Sequence, residues 1–172
     1  ILPQRIRVNK DLLKDLYFDK DVDLALIQAK TVAIVGYGNQ GQAQALNLRD
    51  SGVKVIVGAR DGGRSQQKAN EDGFNVTPIE DAVSFAEVIA ILLPDQVMAA
   101  VYYKSIAPNL SAGNILQFSH GYNIHYGKIV PPKDVDVMMV APSGAGKMVR
   151  QEFEKGNGVP NLIAIHQDNS LD

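Results

Sequence analysis

Thr31-Val32-Ala33-Ile34-Val35-Gly36-Tyr37-Gly38-Asn39-Gln40-Gly41 is the stretch whose reading decides the fold of this chain. Its first five residues are small or β-branched and carry no charge, as in a strand buried on both faces. Asn39 to Arg49 follows at once with helical composition, so the glycines occupy the turn between strand and helix. In that context each glycine has a mechanical reason. Gly36 permits the tight turn, Gly38 removes a side chain where a pyrophosphate would approach, and Gly41 lets the helix lie close to the strand. Exposed main-chain N–H groups and roughly +0.5 charge at the helix start would hold the diphosphate. The spacing therefore predicts a nucleotide site.

Working outward, short β-branched runs recur at 31–35, 53–57, 74–77, 87–92, 114–118, 135–140 and 161–165. Helical stretches are expected over 39–50, 64–72, 79–85, 95–103 and part of 147–155. This alternation predicts an α/β fold of the Rossmann type, doubly wound, with a mostly parallel sheet and helices on both faces. Ser51-Gly52 should stop the first helix, and Asp95 after Pro94 should cap the helix that follows the fourth strand. The loops beginning at Gly36, Gly58, Pro94, Ser119 and Ala141 all leave strands, so they gather along one edge of the sheet, where such folds bind ligands. Residues 1–30 read as a lead-in packed on the domain, with an edge strand at 6–8 and a short helix over 10–17. Residues 31–172 form the dinucleotide-binding domain.

The 172 residues and 45% hydrophobic content suit one well-cored domain rather than two. Seventeen basic residues against nineteen acidic ones give a net charge of −2, which argues against a nucleic-acid partner. No apolar run approaches a bilayer span, Val88 to Leu93 being strand-sized, and no secretory signal opens the sequence. Without cysteine there is no disulfide, thiolate nucleophile or Cys-bound zinc, and a cytoplasmic setting is expected. The first residue, Ile1, is not a methionine and reads as a trimmed or processed start.

An NAD-type site places a carboxylate at the end of the second strand to bind the adenine ribose. Here that strand ends in Gly58-Ala59, followed by Arg60-Asp61-Gly62-Gly63-Arg64-Ser65. Arg60, Arg64 and Ser65 suit a 2′-phosphate, because guanidinium offers forked, charge-assisted donors. Arg60 could also lie flat on the adenine. Asp61 complicates this reading, since it could pair with either arginine or bind a free ribose. NADP(H) is the expected coenzyme. His120 follows an apolar strand at a strand-end loop, where an imidazole can relay or orient a proton at neutral pH. His125 and His166 read as structural or surface residues, and no metal site is expected in this chain.

From about Tyr17 to Ser170 the sequence closely resembles the N-terminal domain of ketol-acid reductoisomerase (acetohydroxy acid isomeroreductase). The likeness is carried by 17–21 (YFDKD), Gly36-Tyr37-Gly38-Asn39-Gln40-Gly41, 46–53 (LNLRDSGV), 91–95 (ILLPD), 119–125 (SHGYNIH), 130–137 (VPPKDVDV), 158–160 (GVP) and 163–168 (IAIHQD). The resemblance implies an NADPH- and Mg²⁺-dependent enzyme of valine and isoleucine biosynthesis, a homo-oligomer when complete. Such an enzyme converts 2-acetolactate or 2-aceto-2-hydroxybutanoate by alkyl migration and then reduces the resulting 2-keto acid by hydride transfer. It implies cofactor contacts at Tyr37, Gly38, Asn39 and Gln40, at Arg60 and Ser65, at Asp95, Gln96, Val97 and Met98, and at Gly146. It makes His120 the active-site histidine.

Three departures from the family pattern bear on that transfer. Ser143 stands where the family usually has a lysine serving the metal–substrate site, and Lys147 lies four residues further on. Gly63 replaces a serine of the 2′-phosphate loop. The sequence stops at Asp172, before the family's helical second domain, whose acidic side chains bind two Mg²⁺ ions. The chain is thus expected to bind NADPH without isomeroreductase activity of its own. Gly144-Ala145-Gly146-Lys147 is not a phosphate-binding NTPase loop, because Ala141 and Met148 occupy positions that require glycine and Ser or Thr. The alternatives weighed are a dinucleotide-sensing regulatory domain that does no chemistry, and another two-domain reductase such as a hydroxy acid dehydrogenase. The 119–125 run favours the isomeroreductase over the latter.

Overall fold

The structure is a computed structural model that describes residues 16–170. The edge strand and helix expected in the first residues fall outside that span, save for Leu16 and Tyr17, which belong to no helix. Seven strands form one sheet: β1 Thr31–Val35, β2 Lys54–Gly58, β3 Asn75–Thr77, β4 Val88–Ile91, β5 Ile115–Phe118, β6 Asp136–Pro142 and β7 Asn161–Gln167. Their order is β3-β2-β1-β4-β5-β6-β7, parallel throughout except where β7 returns antiparallel to β6. Successive crossovers run to opposite sides of β1, so the strand order reverses between β1 and β4. That reversal opens the crevice in which doubly wound sheets bind ligands.

Every residue of β1 is buried, and successive side chains go to opposite faces. Val32 and Ile34 join Ala45 of helix α2 (Asn39–Asp50) and Ala69 of α3 (Arg64–Glu71) in one cluster. Val35 joins Ile89, Ile91 and Phe118 with Val83 of α4 (Ile79–Phe85) and Met98 of α5 (Asp95–Val101) in another. A strand covered on both sides needs the unbroken apolar run that the sequence supplies. Helix α2 stops at Ser51, and Gly52 takes the left-handed conformation (φ +81°) that glycine tolerates best.

The structure adds three corrections. Asp95 does not cap α5: Pro94 takes the capping position and Asp95 is the first helical residue. The helix expected over 95–103 ends at Val101 and continues as a π-helical turn, Tyr102–Ile106, then a 3-10 turn, Ala107–Asn109, containing Pro108. Four-residue helices at Ala25–Gln28 (α1) and Tyr122–His125 (α6) join the expected set, and α7 spans Gly146–Glu154. Of the lead-in, residues 16–30 are described, and among them the last ones pack on the domain. Ile27 meets the core and Gln28 Nε2 donates to the Ser51 carbonyl at 2.8 Å, while Leu16, Tyr17, Phe18, Val22, Leu24 and Leu26 are half or more exposed.

Candidate functional site

The three glycines of the first turn divide by what surrounds them. Gly36 has φ +103°, and a Cβ there would lie 2.8 Å from the Leu92 carbonyl carbon and oxygen. A Cβ on Gly41 would lie 1.9 Å from the Gly36 oxygen. Those two positions are closed by the fold itself. Gly38 is exposed, with no atom within 4 Å of where its Cβ would be. It opens α2, whose first N–H groups have no partner inside the helix. Gly38 therefore leaves an open approach to a row of main-chain donors, which is the shape a diphosphate requires.

Tyr37 turns the other way. It is buried, stacks edge-on against Phe74 at 5.8 Å, and donates its hydroxyl to Asp72 Oδ2 at 2.8 Å. Burial, and then that hydrogen bond, push its ionisation well above the usual phenol range. Only its main chain is left to meet a nucleotide. The same holds for Met98, which is buried in the core and accepts a bond from Asn123 Nδ2 at 3.3 Å. Gln96 and Val97, one turn from the sheet edge, are exposed.

At the end of β2, Ala59 is buried and Arg60 emerges exposed. Arg64 begins α3, with Ser65 next to it. Among the described residues, no carboxylate pairs with Arg60 or Arg64.

The ends of β4 and β5 bring Asp95 and His120 together. His120 Nδ1 lies 3.4 Å from Asp95 Oδ2 and accepts the Tyr122 N–H at 3.3 Å, with the imidazole largely exposed. Accepting at Nδ1 assigns the proton of the neutral ring to Nε2. Asp95 is held in turn by buried Asn123, whose Nδ2 donates to Asp95 Oδ1 at 3.2 Å and to its carbonyl at 3.3 Å. The result is an exposed imidazole whose Nδ1 is held by the Tyr122 N–H, with Nε2 left to exchange a proton and a fixed carboxylate close beside the ring. His125 lies edge-on to Tyr126, and His166 is exposed on β7.

Helix α2 ties the remaining loops to this edge. Gln40 Nε2 donates to the Gly144 carbonyl at 2.8 Å, and Gln44 Nε2 reaches both Gln40 Oε1 (3.2 Å) and Ser119 Oγ (3.0 Å). A Cβ on Gly146 would lie 2.0 Å from the Asn39 oxygen, so α7 starts against the start of α2. Arg150 clamps the pair, donating to Asp50 at 2.6 Å, Asn47 at 3.0 Å and Glu154 at 2.9 Å. Gln44, Asn123 and Arg150 are the site's supports that sequence reasoning missed. Ser143 and Lys147 are exposed, and the Ser143 N–H donates to Pro160. Among the described residues no three His, Asp or Glu side chains gather as a metal site. An apolar cavity of about 400 Å³ lies elsewhere, lined by Val32, Leu48, Ala90, Val140 and Phe153, and shares none of the residues of the glycine turn.

Comparison with known proteins bears on this edge. Residues 26–172 match the family described as acetohydroxy acid isomeroreductase, NADPH-binding domain. A ketol-acid reductoisomerase (NADP(+)) of Petrotoga mobilis is 52% identical over 154 residues, covering 90% of this chain and 47% of that protein. The solved structure of an NADH-preferring ketol-acid reductoisomerase from an uncultured archaean superposes with a TM-score of 0.85 at 48% identity, over 88% of this chain and 47% of the other. The chain thus spans about half the length of the relatives it matches. A putative oxidoreductase from Jannaschia sp. CCS1, 19% identical with a TM-score of 0.67 over 83% of this chain and 54% of that one, shares the fold alone.

Proposed function

The chain belongs to the acetohydroxy acid isomeroreductase family, as its NADPH-binding domain, and we propose that it serves the conversion of 2-acetolactate to 2,3-dihydroxyisovalerate. The same enzyme would turn 2-aceto-2-hydroxybutanoate into 2,3-dihydroxy-3-methylpentanoate. When bound, NADPH supplies the hydride for reduction of the rearranged 2-keto acid. The main-chain N–H groups of Gly38, Asn39 and Gln40 hold the diphosphate, with Gly36 and Gly41 shaping the turn. Arg60, Arg64 and Ser65 hold the 2′-phosphate. The 95–98 segment, with Asp95 and Gln96 at its accessible end, and Gly146 flank the coenzyme. His120, held at Nδ1 by the Tyr122 N–H and with Asp95 beside it, moves or orients a proton. The observation that carries this reading is the open space at Gly38 between two glycines that the fold closes in.

Mg²⁺ needs hard oxygen ligands, usually carboxylates and water. The described residues gather no such cluster, so we place that ion's ligands in the further length that the relatives possess. The complete enzyme is read as a cytosolic homo-oligomer built around a helical metal and substrate domain, with residues 31–172 as the coenzyme domain and 1–30 as its lead-in. Among the described residues no helix is long and apolar enough to cross a membrane. The test is an assay of this chain alone with 2-acetolactate, Mg²⁺ and NADPH. Enhanced coenzyme fluorescence without steady oxidation is expected; sustained oxidation would show that the chain needs no further half.

A further inference from the structure

The turn leaving β2 carries two cations and one anion, and the anion is the group that is tied down. Asp61 Oδ1 accepts from Gln66 Nε2 at 3.1 Å, while Gln66 Oε1 accepts the Gly62 N–H at 2.8 Å. The main-chain donor fixes which end of the Gln66 amide is oxygen and so obliges its nitrogen to face Asp61. A further bond from the Gly63 N–H to the Arg60 carbonyl at 3.2 Å closes the turn. Arg60, Arg64 and Asp61 are all exposed, and among the described residues neither arginine meets a carboxylate.

We propose that Gln66 is a positioning residue that sets coenzyme preference by keeping the Asp61 carboxylate off the two guanidiniums; the inference rests on the coenzyme site proposed above. A 2′-phosphate is a dianion that needs both arginines unneutralised. A carboxylate released among them would pair with one and repel the phosphate. The same carboxylate could accept hydrogen bonds from the free 2′- and 3′-hydroxyls of NADH. One amide thus decides whether an acidic residue in this turn opposes or spares NADPH. That one relative of the chain prefers NADH shows that preference varies among proteins of this shape.

The experiment measures dissociation constants of NADPH and NADH for the chain, for Gln66→Leu, and for Gln66→Leu combined with Asp61→Asn. Gln66→Leu should weaken NADPH by about fivefold or more and NADH by less than about twofold, from the restored charge repulsion. Asp61→Asn in that background should return NADPH to within about twofold of the parent, since the charge is gone. Simple loosening of the turn would not be rescued by a second substitution. Equal weakening of both coenzymes without rescue, an unchanged ratio, or a loss confined to NADH would each overturn the role. A parent chain that binds neither coenzyme would overturn the coenzyme site itself. Parent binding with an unmoved ratio in Gln66→Leu removes the inference about Gln66 alone.

Discussion

Gly146 touches Asn39 so closely that a methyl group on the glycine would lie 2.0 Å from the asparagine's main-chain oxygen. Helix α7 therefore sits where it does only because its first residue has no side chain. Neither backbone can yield without moving a helix. Gly146→Ala should lower the unfolding free energy by about 3 kcal/mol, at the upper end of ordinary overpacking costs. Urea denaturation of the two proteins checks this.

Gly38 should behave in the opposite way. Its φ of −86° is open to any residue, and nothing occupies the space beside it. Gly38→Ala should change stability by less than about 1 kcal/mol. It should nevertheless weaken NADPH at least about tenfold, because the methyl group stands in the approach to the donors. Denaturation and coenzyme titration of the same preparation separate the two effects.

Tyr37 and Tyr102 make stability sensitive to alkali. Burial, then the bond to Asp72, hold the Tyr37 phenol well above its ordinary range, and burial pushes Tyr102 up to about 12. In the unfolded chain both ionise near pH 10. Below that pH both states keep both protons, so the contribution to stability is whole. Above it the unfolded chain releases protons that the folded chain retains, so stability falls as pH rises toward the folded values. The urea midpoint should therefore decline above about pH 10. In Tyr37→Phe the decline should be shallower, after a loss of about 1–2 kcal/mol at neutral pH from the missing bond to a carboxylate.

Arg150, braced by Glu154 on its own helix, fastens α7 to α2 through Asp50 and Asn47. The guanidinium beside Asp50 holds that carboxyl below the usual carboxylate range. Arg150→Met should cost about 1–2 kcal/mol, because the side chain is mostly covered and its three partners lose a donor. Amide exchange should quicken along 146–154 and stay nearly unchanged in β1. Uniform acceleration across the sheet would show that the fastening is not local.

Much of the fold was legible because its signals are local. β1 is an unbroken apolar run, and the glycines after it fall where a strand must turn into a helix. The direction of β7 was not legible, since the residues at 161–167 would suit either pairing and only the partner edge of β6 decides. Helix α6 is four residues long and owes its place to Asn123 bridging back to Asp95, a contact across 28 positions. The site divides in the same way. The glycine turn, the arginines and His120 stand at strand ends that the alternation of elements already located. Gln44, which meets Ser119 across 75 positions, and Arg150, which meets Asp50 across 100, act through partners that no local pattern names. Asp61 was ambiguous in the sequence for the same reason, and the structure turns it toward Gln66.

The central claim is that main-chain donors at the start of α2 receive the coenzyme's diphosphate. Titrating the isotopically labelled chain with NADPH, and following its amide resonances, tests this most directly. Saturable shifts should be largest at Gly38, Asn39 and Gln40, with a second group at Arg60 to Ser65. Binding that leaves the 38–40 amides unmoved, or a folded chain that shows no shift at millimolar coenzyme, would contradict it.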